Sequence, residues 1–300
     1  MTPTLVRRHR SHAGRVPSVD RCARARDWAE IQERMLVPLY EAVYERLEVG
    51  GAAGTRLLGL GCGSGLALLM AAARGAAVTG VEAAAPERLA LARERLQGES
   101  LQSESLQGDR ADAWGTRARG GARLVEGDPA DAVGPGDPPF DLITAFQPVG
   151  GTAGDSEGLC ALLESAAPLA ERGAPVVLAG WGPPERCATS SVLRVATKLA
   201  DPLRGAGSWR PALRDDLEEI THRAGLRPDG SGRVACPFGY ADMDSAVRGL
   251  LSTGLFDAAI GATDPAQVEK EMTEALHPHQ RRDGTVWMPN VFRYVIARTT

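Results

Sequence analysis

Residues 56–65 read Arg56-Leu57-Leu58-Gly59-Leu60-Gly61-Cys62-Gly63-Ser64-Gly65, an apolar run that ends in a glycine-rich loop. The apolar half predicts a buried strand, and a helical pattern of apolar residues begins directly after the loop. This strand–loop–helix context is the one that nucleotide-binding loops require, because glycine lets the backbone turn sharply and approach a ligand. We therefore predict a ligand site at this loop, beside the positive end of the following helix.

The spacing of the glycines distinguishes between cofactors. A dinucleotide fingerprint reads G-x-G-x-x-G, but its last position falls on Leu66 when counted from Gly61. The chain instead reads G-x-G-x-G over Gly61, Gly63 and Gly65. This spacing argues against an NAD-dependent oxidoreductase.

Strand and helix patterns alternate after residue 55. Such alternation predicts an α/β fold with a mostly parallel sheet and helices on both faces. Three segments fall outside it, and we expect them to form a helical cap over the carboxyl ends of the strands, where open α/β sheets bind ligands. The cap segments are residues 27–48, 183–212 and 240–280. The predicted strands are residues 56–60, 77–81, 123–126, 140–146, 174–179, 232–235 and 291–297, and the predicted helices after the loop include residues 66–74, 157–169 and 213–224.

Two acidic residues lie where predicted strands end. Glu82 follows the second strand, about twenty residues after the loop, where a carboxylate accepts ribose hydroxyls in nucleotide-binding folds. Asp128 follows the third strand and is placed to accept a hydrogen bond from an adenine amino group. Both side chains are therefore predicted to bind an adenosine.

These motifs together resemble the class I S-adenosylmethionine-dependent methyltransferases of the small-molecule type. The segments 180–185 and 290–297 add to the resemblance. It implies a Rossmann-like sheet of seven strands with the last one antiparallel, and S-adenosyl-L-methionine as the cofactor. The cofactor-binding residues that it implies here are Gly61, Cys62, Gly63, Gly65, Glu82, Asp128 and Phe146.

One position departs from this family's pattern. Two residues before the first loop glycine the family usually carries Asp or Glu, and this chain has Gly59. We expect the departure to weaken cofactor affinity without abolishing it. It also motivates an alternative, a non-catalytic or regulatory protein that binds S-adenosylmethionine.

Methyl transfer needs a base only when the acceptor arrives protonated. His277 and His279 are the candidates in the predicted cap. Their ligand set is too small for a metal site, so none is predicted. Trp28 and Trp181 are candidates for lining an acceptor pocket, or for core packing.

Charge, apolar runs and cysteine spacing indicate which partners and which cellular setting to expect. The net charge is −4, and a protein that grips nucleic acid usually carries a basic surface, so we expect a small-molecule acceptor. No apolar run is long enough to cross a membrane. The five cysteines are widely spaced without a C-x-x-C pair, which favours a reducing cytoplasmic setting. The oligomeric state is left open.

The domain prediction is a single methyltransferase domain over residues 27–300. Residues 1–26 are rich in arginine and are expected to form a disordered leader. Residues 97–121 are polar and nearly repetitive, and are expected to form a flexible insertion.

Overall fold

The computed structural model describes residues 20–51, 54–106, 122–150, 155–200 and 216–300. Seven strands form the main sheet, and two short strands form a separate small sheet. In chain order the strands are β1 (Arg56–Leu60), β2 (Ala77–Glu82), β3 (Arg123–Glu126), β4 (Leu142–Val149), β5 (Pro175–Trp181), β6 (Arg227–Ala235), β7 (Phe238–Tyr240), β8 (Val286–Met288) and β9 (Val291–Arg298).

Several helices begin at an aspartate that caps their first turn. Asp242 and Asp264, for example, each accept a hydrogen bond from a backbone N–H in the first turn of the helix that follows. In chain order the α-helices are α1 (Arg21–Asp27), α2 (Val37–Arg46), α3 (Leu66–Ala72), α4 (Pro86–Leu106), α5 (Asp155–Ala166), α6 (Ser190–Ala200), α7 (Asp216–Arg223), α8 (Met243–Leu251), α9 (Asp257–Ala262) and α10 (Pro265–Leu276).

The main sheet has the strand order β3-β2-β1-β4-β5-β9-β6. The pairs β1–β2, β1–β4, β2–β3 and β4–β5 are parallel, whereas β9 runs antiparallel to both β5 and β6. The predicted fold class, a seven-stranded mostly parallel sheet with its last strand antiparallel, is confirmed. The chain leaves the centre in opposite directions from β1 and β4, so the crevice outside their carboxyl ends is the expected ligand site.

Both faces of the sheet are covered by apolar residues. Leu57 and Leu58 are adjacent in β1 and point to opposite faces, and each is fully buried in a different hydrophobic cluster. α5 and α7 contribute to the cluster that holds Leu58, while α2, α3 and the cap helices contribute to the other. A central strand buried on both sides explains why its sequence is a continuous apolar run.

The N-terminal segment (residues 20–46) is a broken helix. After α1 come a π-helix over Trp28–Gln32 and a 3-10 turn over Glu33–Leu36, and α2 starts where Pro38 occupies the first turn. The division near Pro38 agrees with the prediction. The leader differs from it, because Asp20 caps α1 and residues 20–26 are ordered as helix; residues 1–19 lie outside the described residues.

The polar insertion also differs in part from its prediction. α4 continues to Leu106, so the first part of residues 97–121 extends this helix instead of leaving the domain as a loop. Polar composition does not by itself end a helix, since Gln, Glu and Leu all propagate helical structure well. Residues 107–121 lie outside the described residues.

The three cap segments contribute to one hydrophobic cluster. Tyr40, Val192 and Met272, one from each segment, are all buried in it. Residues 201–212 of the second segment lie outside the described residues. The small sheet of β7 and β8, in which Phe238 pairs with Met288, joins the same cluster and was not predicted. Across the described ranges, every helix is too short or too polar to span a bilayer.

Candidate cofactor site

The glycine loop (residues 61–65) connects the carboxyl end of β1 to α3. Gly63 and Gly65 have φ angles of +56° and +80°, a region that glycine adopts without steric penalty. A Cβ atom at Gly65 would lie 2.9 Å from the Cβ of Ala92 on α4, so close packing also requires glycine there. The Gly65 N–H donates to the Cys62 carbonyl at 3.0 Å and closes the turn.

Glu82 connects this loop to the neighbouring strand. It ends β2, is 5% exposed, and accepts the Gly63 N–H at 3.0 Å through Oε2. Its Oε1 accepts the Ala84 N–H, also at 3.0 Å. Because β1 and β2 run parallel, their carboxyl ends meet at one edge of the sheet and bring the acid to the loop. Each carboxylate oxygen retains a second lone pair for a ligand hydroxyl.

The N-terminal segment covers the glycine loop from the opposite side. Trp28 Nε1 and Glu33 Oε1 lie 3.2 and 3.4 Å from the position that a Cβ on Gly63 would occupy. The sequence interpretation missed Glu33, although a signal was present. Glu33, Leu36 and Tyr40 follow the i, i+3, i+7 spacing of one buried helix face, so an acid in that series marks a buried carboxylate.

A loop cavity borders the glycine loop, and an outer cleft shares Arg88 and Gln147 with this cavity. The loop cavity has a volume of about 30 Å³, enough for a few water molecules at most. The outer cleft has a volume of about 400 Å³. Residues lining the loop cavity are Trp28, Glu33, Leu36, Tyr40, Gly59, Leu60, Gly61, Cys62, Gly63, Ala67, Leu68, Arg88, Thr144, Phe146 and Gln147. Residues lining the outer cleft are Arg21, Arg24, Ala25, Glu82, Ala84, Ala85, Glu87, Arg88, Gln147, Ser252, Thr253, Gly254 and Asp257.

Gly59 lacks a side chain for a packing reason. A Cβ at this position would lie only 2.8 Å from Leu68 Cδ2 and 3.8 Å from Thr144 Oγ1. Leu68 is 1% exposed and belongs to the core, so it cannot turn away cheaply. The space that an acidic side chain would need on this side of the loop is therefore filled by a leucine.

The Cys62 thiol lines the loop cavity and is not a reactive nucleophile. Burial raises its pKa to about 12, and the negative charges of Glu82 and Glu33 act in the same direction. A thiol with this pKa is neutral at physiological pH, and only the thiolate is a good nucleophile. Cys62 therefore contributes its backbone and its apolar surface to the loop.

Comparison with known proteins rests on structure alone. No protein-family model matches the sequence, and no curated protein does. Among solved structures, the YcgJ protein of Bacillus subtilis covers 90% of this chain with all of its own length, at a TM-score of 0.50 and 15% identity. This coverage shows that the chain shares the fold of YcgJ. Its seven-stranded sheet with an antiparallel β9 is the Rossmann-like fold that the resemblance to class I methyltransferases implies.

A second solved structure is a methyltransferase in complex with S-adenosyl-L-homocysteine. It is the S-adenosylmethionine-dependent methyltransferase of Geobacter sulfurreducens, which is 17% identical and covers 89% of this chain and 92% of its own, at a TM-score of 0.47. At this identity and TM-score the comparison says nothing about the residues of the site.

Within this class I methyltransferase fold, Asp128 and Phe146 lie in different settings. Phe146, near the end of β4, is buried, lines the loop cavity and packs 4.9 Å from the Tyr40 ring between centroids. Asp128 is exposed at the end of β3 and borders neither space. Its carboxylate accepts the Ala130 N–H at 2.8 Å and a hydrogen bond from the Ser165 hydroxyl at 3.2 Å. The structure thus brings Phe146, but not Asp128, to the loop cavity.

The structure does not bring the two histidines to the loop. His277 and His279 form a 3-10 turn between α10 and β8, and neither lines the loop cavity or the outer cleft. Partial burial lowers the pKa of His279. Among the described residues, no three His, Cys, Asp or Glu side chains converge to hold a metal ion.

Proposed function

We propose that this protein binds S-adenosyl-L-methionine at the glycine loop and transfers its methyl group to a small-molecule acceptor. The observation that carries the proposal is the hydrogen bond from the Gly63 N–H to Glu82 at the switch point of the sheet. This hydrogen bond joins the glycine loop to a carboxylate whose remaining lone pairs can accept hydrogen bonds from a ribose. The class I methyltransferase fold provides the setting for this pair.

The residues present fit such a cofactor. Its adenosine end would extend from Glu82 along the outer cleft, which Ala84 and Ala85 also line. Its amino-acid end would occupy the loop cavity once the N-terminal segment shifts to widen it, since the present volume of about 30 Å³ holds only a few water molecules. The Trp28 Nε1 atom there is buried without a hydrogen-bond partner in the described chain. Asp128 and Phe146 remain the proposed contacts for the adenine and for the methyl-donor site.

The chemistry needs little from the protein beyond placement. The sulfonium of the cofactor, when bound, supplies an already activated methyl group. The residues of this chain orient the two reactants, and orientation can lower a barrier by about 7–11 kcal/mol. Leu36, Tyr40 and Phe146 give the loop cavity an apolar wall.

Two features favour a metabolite as the acceptor. The chain carries a net charge of −4, which opposes binding to a nucleic-acid backbone. β4 ends in Phe146-Gln147-Pro148-Val149, which differs from the Asn/Asp-Pro-Pro-Tyr/Phe motif of enzymes that methylate DNA bases or protein glutamine. The cellular setting is a separate proposal. All five cysteines are free thiols, which agrees with a reducing cytoplasmic setting.

Binding without transfer is the second candidate, and one observation favours it. Burial raises the pKa of both Tyr40 and Cys62, and Glu33 already forms a 2.8 Å ion pair with Arg95. The described wall of the loop cavity therefore offers no ready base for a protonated acceptor. A non-catalytic protein that binds the cofactor would have this arrangement, as would an enzyme whose acceptor arrives deprotonated.

Two measurements on the full chain test these proposals. Isothermal titration calorimetry should show binding of S-adenosyl-L-homocysteine and none of NAD. Incubation with S-adenosylmethionine labelled at the methyl group, together with a metabolite extract, should transfer label to an extract component. Binding without transfer would support the non-catalytic candidate, and absence of binding would refute both.

A further inference from the structure

Glu33 is a buried carboxylate supplied by the N-terminal segment. It is 2% exposed and lies in the 3-10 turn that precedes α2. Its Oε2 accepts hydrogen bonds from the Ser64 hydroxyl and from Arg95, the latter at 2.8 Å. Arg95 Nη1 also donates to the Ser64 carbonyl at 2.8 Å. This oxygen is therefore committed to fastening the N-terminal segment onto the glycine loop and α4.

The other oxygen of Glu33 is free to bind a ligand. Oε1 accepts only a long contact of 3.4 Å from the Leu66 N–H, and it faces Gly63 at the loop cavity. A buried carboxylate oxygen with such a weak partner retains most of its capacity to accept a hydrogen bond from a cation.

Trp28 presents a matching donor on the same wall. It is 9% exposed, its Nε1 atom points at Gly63, and this N–H has no partner among the residues that the structure describes. An unpaired buried N–H is costly in free energy, so such a group calls for an explanation. Glu33 and Trp28 thus place an acceptor and an orphaned donor side by side over the loop.

The amino-acid end of S-adenosylmethionine carries an ammonium and a carboxylate on adjacent carbons. We propose that Glu33 Oε1 binds the ammonium group and that Trp28 Nε1 donates to the carboxylate group. This inference rests on the proposed function, since it assigns residues to the same site. It makes the N-terminal segment, and not the sheet, the source of the charged contact for the amino-acid end.

The packing around Gly59 supports this assignment. On the sheet side of the loop, Leu68 fills the space that an acidic side chain would need. The carboxylate that faces Gly63 across the loop cavity comes instead from Glu33. The weaker affinity that the sequence predicts from Gly59 is thereby offset by a residue distant in the chain.

The substitution Glu33→Gln tests the proposal by calorimetry with two ligands. S-adenosyl-L-homocysteine has the ammonium group, whereas 5′-methylthioadenosine shares the adenosine and the sulfur but lacks the amino-acid end. We expect Glu33→Gln to weaken binding of the first ligand at least about tenfold, as a charge-assisted hydrogen bond is lost, and to leave binding of the second unchanged. Glu41→Gln, which alters an exposed carboxylate on α2, is the matched control and should leave both affinities unchanged.

Trp28→Phe provides a second variant in case Glu33→Gln does not fold. It removes the N–H and keeps an aromatic ring. The affinity for S-adenosyl-L-homocysteine should therefore fall severalfold, and the affinity for 5′-methylthioadenosine should stay unchanged. Equal losses for both ligands, or no loss for either, would overturn the assignment. If the unsubstituted chain binds neither ligand, the proposed function itself fails, which is a distinct outcome.

Discussion

Arg88 lies over the indole of Trp28, with its guanidinium carbon 4.2 Å from the ring centroid. The same guanidinium donates a 2.6 Å hydrogen bond to the Ser252 carbonyl, just after α8. One side chain thus connects α4, the N-terminal segment and the cap. Because Arg88 borders both the loop cavity and the outer cleft, it stands between them. Burial lowers its pKa, and the nearby carboxylates of Glu82 and Glu33 counteract this.

Arg88→Met should destabilise the protein. The substitution keeps an apolar stem but removes the cation–π contact and the charged hydrogen bond, so we expect the free energy of unfolding to fall by about 1–3 kcal/mol. Urea denaturation measures it. Arg34→Met, at an exposed position of the N-terminal segment, should change stability by less than about 0.5 kcal/mol. If both variants lose less than about 0.5 kcal/mol in the free energy of unfolding, Arg88 does not connect these elements.

Gly63→Ala should separate backbone strain from ligand binding. Gly63 and Gly136 both have positive φ, of +56° and +87°, so alanine should cost about 1–2 kcal/mol of stability at either position. The added methyl group would contact Trp28 Nε1 at Gly63, whereas nothing lies within 4 Å at Gly136. Calorimetry should therefore show S-adenosyl-L-homocysteine binding lost or strongly weakened in Gly63→Ala and retained in Gly136→Ala. Equal affinities would place the ligand elsewhere.

Gly59→Asp should fail to improve binding. Its Cβ would meet Leu68 at 2.8 Å, so we expect a loss of about 1–3 kcal/mol in the free energy of unfolding and no gain in affinity. The double variant Gly59→Asp/Leu68→Ala relieves the clash at the cost of a cavity. Calorimetry and urea denaturation on both variants check the expectation. A stable Gly59→Asp protein that binds the cofactor more tightly would contradict it.

Cys62 should resist alkylation. Its pKa of about 12, against an ordinary value of 9.0, makes the thiolate fraction at pH 8 about a thousandfold smaller. Mass spectrometry after iodoacetamide treatment should show Cys22, which is exposed, modified first. Modification of Cys62 at a comparable rate would show that the loop opens readily.

The same raised pKa makes stability depend on pH at the alkaline end. The neutral thiol is favoured in the folded state, so the contribution is fully present below pH 9, where the unfolded chain also keeps its proton. It is lost as pH rises from about 9 to about 12. Cys236, also raised to about 12 by burial, adds to this loss. Urea denaturation between pH 8 and 10.5 should show a shallower decline for Cys62→Ala than for the unsubstituted chain.

The loop and the central strands could be predicted because their signals are local. The apolar run before Gly61, the glycine spacing and Glu82 all lie within one strand–helix–strand unit, whose geometry is fixed by short connections. β6 was predicted only as residues 232–235, because Pro228 and Gly230, which precede this range, disfavour strands. It extends over Arg227–Ala235 because pairing with β9 overrides this weak propensity.

Contacts between distant segments could not be predicted in this way. β7 and β8 have three residues each, too few for periodicity to identify, and they pair only because the cap helices between them fold back. The same holds for Glu33, whose partners Ser64 and Arg95 belong to other elements. Its helical spacing was a signal of burial that the sequence interpretation missed, and nothing in the sequence showed what would face it.

The docking of the N-terminal segment has a consequence for biosynthesis. Arg24 forms an ion pair with Asp257 at 2.7 Å, and Arg248 donates to Asp27, so the segment that leaves the ribosome early is fastened to helices made near the end of translation. Such long-range contacts close late during folding. The proposed binding site, which this segment covers, is therefore completed only near the end of synthesis, and ribosome-bound intermediates that lack α8 and α9 should have no affinity for the proposed cofactor.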